Sequence, residues 1–417
     1  MGSGSGDAPA RQDSLRARNL ALVLRQIADA PTPVSRAEVA AATGLTKATV
    51  SALVDTLVGS RLVGELEPRL TRPTGRPATG LVLDGEQTAG LGLEINVDYI
   101  AAAVVDLAGG VRHREVVQDD QRGRVPERTC AAVAAMAARA IEVAQDQGLF
   151  VAGVGVAVPG LVDRPGGVLR FAPNLGWRDI AVRTLLSQTA GLRELPIMVD
   201  NEANFAALGE LRSDRSAMTD FLHVSGEIGV GAGIILGREL FHGTRGWSGE
   251  IGHMTVDLDG PKCRCGARGC LEQLAGQEAI LRAAGLPVTA ATSMGGQATV
   301  GRIVESAERG SAHTDAALRQ AGRALGVAVA GSINLLDIPG VVLGGIYAPL
   351  ARWIAPEVQR EVNRRVLSAA WSPVSVRVST AGTDAAVLGA AGGVTTAILR
   401  DPAEWMRRRD LRLAVSS

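Results

Sequence analysis

Apolar positions follow a helical period up to about residue 84 and fall into short continuous runs beyond it. Leu20, Val23, Leu24 and Ile27 share one face of a predicted helix over 15–28, which Pro31 and Pro33 end. Ser35, with Glu38 three residues on, has the form of a capping box for the short helix "SRAEVAAATG", and Gly44 suits its C-terminal turn. Thr46 then caps a helix whose Val50, Leu53, Val54 and Leu57 form one face. A short helix, a Gly turn and a second helix make a helix-turn-helix. Two strand-like pieces, 62–66 and 80–83, flank "RPTGRP" at 72–77, which gives the segment the form of a wing.

From Thr88 the period becomes that of strands. "AGLGLEINVDYIAAAVVDLAGGVRHREVVQ" reads as three strands turning at 96–98 and 109–110, followed by an Ala-rich helix over 126–147. "VAGVGVAVPG" is a buried strand, "LPIMVDNEANFAALGEL" a strand entering a helix, and "FLHVSGEIGVGAGIIL" two strands around a Gly-rich turn. The apolar helix expected over 318–338 reads as core rather than interface.

The 417 residues suffice for two or three domains, and 46% hydrophobic residues suffice for sizeable cores. No apolar run looks long enough to span a bilayer and no signal peptide is evident, so a cytoplasmic protein without a membrane partner is expected. "MGSGSG" reads as a tag or native arm. Net charge is zero, but residues 1–83 hold ten Lys+Arg against seven Asp+Glu. That excess matters because of where it falls. Ser35, Thr46, Lys47, Thr49 and Ser51 are candidate DNA contacts at the helix N-termini, and Arg72 and Arg76 are candidates for a narrow minor groove. The competing reading, a winged helix used for protein interaction, is disfavoured by the arginines of the wing.

Three of the four cysteines lie in eight residues. His253-x9-Cys263-x-Cys265-x4-Cys270 offers one imidazole and three thiolates, a set that suits one tetrahedral structural Zn2+ per chain. Cys130, alone in the Ala-rich helix, reads as a small core residue.

"PNLGW" (173–177), "DNEANFAALGE" (200–210), "IGVGAGI" (228–234), "GEIGH" (249–253), "CRCGARGCLE" (263–272) and "VVLGG" (341–345) resemble the ROK family of repressors and sugar kinases over nearly the whole chain. With the winged helix in front, the sequence is similar to the xylose-repressor branch. The resemblance implies a duplicated α/β fold of the actin/hexokinase, ribonuclease H-like type. The expected organisation is an arm or tag over 1–13 and a winged helix-turn-helix over 14–84. A small lobe over 85–199, completed by a C-terminal helix over 385–410, and a large lobe over 200–384 with a metal loop at 250–273 follow. It also implies that Asn174, Asn201, Glu202, Glu250, His253 and Glu272 line a monosaccharide site.

In the kinases of this family an Asp serves as general base where Glu202 stands here. A "DxGGTK"-like turn approaches ATP where this chain reads "EINVDY" (94–99), without the glycines, threonine and lysine. The second phosphate turn keeps Gly229, Gly231 and Gly233 but has Ile228 where the kinases tend to carry threonine. A Cβ hinders close phosphate approach, and Asp98 adds repulsion. The implied protein is a non-enzymatic, sugar-responsive DNA-binding regulator, probed by xylose or glucose and acting as a homodimer or homotetramer on a palindromic operator. The alternative is an active sugar kinase fused to a DNA-binding domain, which ATP turnover with aldoses distinguishes.

Overall fold

The computed structural model describes residues 12–69, 78–213, 218–288 and 296–416. The chain begins with α1 (Gln12–Asp29), α2 (Arg36–Thr43) and α3 (Lys47–Gly59), followed by the antiparallel ribbon β1 (Val63–Arg69) and β2 (Ala78–Leu83). The first helix thus starts at Gln12, so the last two residues expected in the arm are helical. The capping box forms as read: the Ser35 side chain accepts from the Glu38 amide, and the Glu38 carboxylate takes the Ser35 N–H at 2.7 Å. Gly44 closes α2 in the left-handed region, with φ of 71°. Arg36 ties α2 to α3 and β1 through Asp55 (2.7 Å) and Glu65 (2.8 Å). Arg72 and Arg76 lie outside the described residues.

The body is a duplication in three dimensions. Its first half contains β3 (Thr88–Ile95), β4 (Tyr99–Asp106), β5 (Val111–Gln118), α4 (Pro126–Asp146) and β6 (Phe150–Val158). A small antiparallel sheet of β7 (Leu161–Asp163), β8 (Val168–Ala172) and β9 (Trp177–Ile180) follows, then α5 (Val182–Ser187) and β10 (Ile197–Asn201). After α6 (Glu202–Ser213), the second half contains β11 (Phe221–Gly226), β12 (Val230–Leu236) and β13 (Glu239–Leu240). It continues with the short helices α7 (Glu272–Ala275) and α8 (Gln277–Ala283), then α9 (Gly296–Glu308) and α10 (Ala312–Leu336). It is completed by β14 (Gly340–Gly345), α11 (Ala351–Arg365) and β15 (Ser375–Val378). The sheet orders are β10-β6-β3-β4-β5 and β13-β12-β11-β14-β15. In each, the two strand pairings on one side of the leading strand are antiparallel and the two on the other side are parallel. Every residue of β3 is buried, because α4 covers one face of its sheet and α12 (Ala385–Arg400) the other.

Helices α6 and α12 pack together between the two sheets. Small residues permit this: a Cβ at Gly209 would collide with the Ala385 carbonyl, and one at Gly389 with that of Phe205. Contrary to the sequence expectation, the stretch Gly382–Arg400 is long and apolar enough by composition to cross a membrane. Its apolar residues are spent on packing against the first sheet and α6.

The single C-terminal helix expected over 385–410 is two helices. Pro402, which cannot continue the hydrogen-bond ladder, opens α13 (Pro402–Ser416), and the Asp401 carboxylate caps it at the Glu404 amide (2.9 Å). This last helix turns away from the lobe to pack on α1. Trp405 joins the buried cluster of Leu20, Leu24, Val54 and Leu57, and Arg409 donates to the Ser60 carbonyl just after α3 at 2.5 Å. As read from the sequence, α10 contributes a largely buried face, although Leu335 near its end is 83% exposed.

Candidate functional site

The six residues implied as sugar ligands come from four separate segments, and all line one cleft between the lobes, with a void of about 640 Å³ including its open mouth. Asn174 comes from the β8–β9 turn, Asn201 and Glu202 from the junction of β10 and α6, Glu250 and His253 from either end of a 3-10 turn, and Glu272 from the start of α7. Buried Asp200 braces the β10 end: it pairs with Arg164 (2.7 Å) and His242 (3.0 Å) and accepts from the Asn204 amide group (2.8 Å). Asn201 caps α6 by accepting from the Ala203 amide (2.8 Å), while its amide group donates to Glu202 at 2.7 Å.

The metal loop forms the mouth. His253, Cys263, Cys265 and Cys270 bring their donor atoms within 4.8 Å of one another. His253 Nδ1 lies 3.9 Å from Cys263 Sγ, and Cys265 Sγ lies 3.7 Å from Cys270 Sγ. A tetrahedron with metal–sulfur bonds of about 2.3 Å has edges of roughly 3.8 Å, so the donor set fits a metal of that size. Backbone bonds hold the knuckle, including Cys263 N–H to the Ala267 carbonyl (2.8 Å) and Val256 N–H to that of Gly269 (2.9 Å). With Nδ1 facing the thiols, His253 turns Nε2 toward Glu250 at 4.0 Å. Cys130 is a buried thiol pushed up to about 12 by burial, which matches a core role.

Burial raises both mouth carboxyls above their usual range, and their mutual proximity adds to the effect at Glu250, while His253 works against it at both. Arg264, between two of the loop's cysteines, donates to Asn174 at 3.1 Å and pairs with Glu278 at 3.2 Å, so the metal loop reaches across the cleft. Further in, Glu202 is pushed up to about 8 by burial, then by Glu250, Glu94 and Asp200.

Two polar side chains of the lining were not among the expected ligands: Asn96 and Glu227. They stand on corresponding turns of the two halves, β3–β4 and β11–β12. The latter was read for its glycines and Ile228, as the counterpart of a phosphate turn, and a lone Glu in it carried no signal. Behind Asn96, Glu94 accepts from Tyr99 (2.6 Å) and Asn96 (3.2 Å) and is raised to about 7 by burial.

On the winged helix, Thr46 and Lys47 are exposed, whereas Thr49 and Ser51 are half-buried rather than fully on the outer face. The side chains of Ser35 and Thr46 are engaged in their caps, Thr46 with the Thr49 amide (3.2 Å) and hydroxyl (2.9 Å).

The ROK family profile matches residues 90–396, and that of the IclR helix-turn-helix domain matches 17–66. The chain is 31% identical to the xylose repressor of Bacillus subtilis, over 91% of this chain and 95% of that one. A crystal structure of a ROK family transcriptional regulator, a homologue of the E. coli MLC protein, superposes with a TM-score of 0.76 at 23% identity, covering 94% of this chain and 98% of that one. A ROK family glucokinase from Streptomyces griseus, solved with glucose and AMPPNP, superposes with a TM-score of 0.60 at 28% identity, over 73% of this chain and 98% of that one.

Proposed function

We infer, since this chain belongs to the ROK family, that it is a transcriptional repressor which binds an operator through its winged helix and reads a monosaccharide in the interlobe cleft. The observation that carries this reading is the convergence of Asn174, Asn201, Glu202, Glu250, His253 and Glu272 on one cleft, in a molecule whose DNA-binding module is packed against the same body. Carboxylates and amides are the acceptors that adjacent sugar hydroxyls require, and a site built this way penalises ligands that leave them unpaired. The B. subtilis relative, a xylose repressor, matches across both modules, whereas the glucokinase matches 73% of the chain.

His253, Cys263, Cys265 and Cys270 would hold one Zn2+. Four protein donors leave no open position, so such an ion orders the loop and aims Glu250 and Glu272 rather than activating water. DNA contact falls to the start of α3, at Thr46, Lys47, Thr49 and Ser51, with Ser35 beside it and Arg72 and Arg76 of the wing reaching a minor groove. A two-fold assembly of the chain would read a palindromic site. Sugar acts by binding one relative lobe arrangement more tightly than another, since a ligand shifts a population only by its differential affinity.

Operator binding titrated with xylose and glucose tests this reading. A sugar-dependent change in operator affinity without ADP release is expected. Stoichiometric ATP turnover with either aldose would establish the kinase reading instead, to which the glucokinase similarity lends its support.

A further inference from the structure

We propose that His242 is a positioning residue of the cleft: it latches the strap that leads to Glu250 onto the segment that carries Asn201 and Glu202, and so sets the spacing of ligand groups contributed by the two halves. This rests on the sugar-binding reading above and adds to it the residue that holds the site assembled.

The strap is the chain over 241–249, between β13 and Glu250. Its base is closed on itself by the Ser248 hydroxyl, which donates to the Phe241 carbonyl at 2.6 Å, and by the Ser248 N–H on the His242 carbonyl at 3.3 Å. Gly243, Gly246 and Gly249 turn it in the left-handed region, with φ of 67°, 82° and 96°. The Ala232 N–H pins its end by donating to the Gly249 carbonyl at 2.9 Å, so close that a Cβ on Gly249 would collide with the Ala232 carbonyl. Glu250 follows at once, and the direction in which it enters the cleft is inherited from the strap.

The strap belongs to the second half of the body, yet its outward contacts are with the first. Trp247 Nε1 donates to the Val162 carbonyl at 3.1 Å, and Gly246 lies over the stem of Arg164, with 3.7 Å from a Cβ there to Cδ. His242 Nε2 lies 3.0 Å from Oδ2 of Asp200, which is 3% exposed. A carboxylate only accepts, so the imidazole nitrogen facing it carries a proton. Asp200 Oδ1 takes the Asn201 N–H and the Asn204 amide group, both at 2.8 Å, and Oδ2 takes His242 and, at 2.7 Å, Arg164. Of these four donors only His242 comes from the second half. One carboxylate thus holds the start of the cleft floor, Asn201 and Glu202, through one oxygen and the strap through the other. The groups it brings together are close enough that Glu250 bears on Glu202.

Without His242, Asp200 keeps three donors, so its buried charge stays satisfied and the fold is spared. What is lost is pre-organisation: the strap must then be ordered when the ligand binds, and that cost comes out of the affinity.

The test is calorimetry on the full-length protein with xylose and glucose, together with operator binding in the absence of sugar and hydrogen exchange across the strap. His242→Phe, which fills the space without a donor, should weaken aldose affinity roughly ten- to a hundredfold. It should also speed exchange over 241–249 and leave sugar-free operator affinity unchanged. His242→Gln, whose amide group can donate to Asp200, should restore affinity to within about fivefold of wild type. If the phenylalanine variant folds poorly, His242→Ala reads the same loss. The latch is overturned if a folded Phe or Ala variant binds the aldose as wild type does, if the Gln variant binds no better than the Phe variant, or if operator affinity falls in step with sugar affinity. A wild type that takes up neither aldose overturns the sugar reading and this role with it, whereas equal binding by wild type and variant overturns the latch alone.

Discussion

The mouth and the floor of the cleft carry the same functional group in opposite company. At the mouth, Glu250 and Glu272 stand beside His253 and Arg264 on a loop that a metal-fitting Cys3His set draws together. At the floor, Glu94 and Glu202 both bear on Glu227, and burial pushes all three up. The mouth carboxyls are placed by one compact loop whose Cys3His donors fit a metal, while the floor carboxyls are brought together only by the topology of the two halves.

The heaviest blow to the mouth is loss of its metal centre. Cys270→Ser should abolish stoichiometric zinc and lower stability by roughly 5 kcal/mol or more, since structural zinc supplies folding energy directly. Metal analysis and melting with and without chelator check it, and a folded, thiol-reduced wild type free of zinc would count against the centre. Next comes Glu250→Ala. Each hydrogen bond to a charged group is worth about 1.5–3 kcal/mol, so sugar affinity should fall roughly ten- to a thousand-fold while sugar-free operator binding persists. An unchanged sugar response in this variant would place the effector elsewhere.

The floor is sharpened by pH. Glu202 is raised from 4.5 to about 8, so the folded protein keeps a proton that the unfolded chain releases. Its contribution to stability is full below about pH 4.5 and is lost as pH rises through 8. Chemical denaturation of wild type and Glu202→Gln between pH 5 and 9 should differ in slope, the wild type losing about 1–3 kcal/mol more on the way up. Parallel curves would mean that Glu202 ionises normally. Smallest is Arg264→Ala. The guanidinium is 53% exposed, so losing its bond to Asn174 and its pair with Glu278 should cost about 0.2–1 kcal/mol, or up to roughly fivefold in sugar affinity. A hundredfold loss would show that the loop clamps the cleft far more firmly than an exposed pair can.

Much of the molecule was legible because its determinants are local. The Ser35–Glu38 box, the Thr46 cap and the Gly44 turn each need only three or four consecutive residues, and each forms as read. The strand runs around "EINVDY" and "GEIGVGAG" announced the two leading hairpins. The Cys3His spacing places all four donors in one loop, and that loop brings Glu250 and Glu272 with it. The remaining members of the sugar set were reached by resemblance rather than by spacing, and the structure brings them to the same cleft.

What the sequence determined by itself was thus whatever a short segment can specify: caps, turns, strand runs and the donor set of one loop. The tertiary structure alone decided which distant segments meet. It put Asn96 and Glu227, 131 positions apart in the chain, on one floor, because the duplicated sheets face each other across α6 and α12. It also sent α13 back from Pro402 to the winged helix, setting Trp405 in its core and Arg409 on Ser60. Such contacts are chosen by which apolar faces are left uncovered once the lobes have formed, and the field at a buried carboxylate is the sum over neighbours that only the fold assembles.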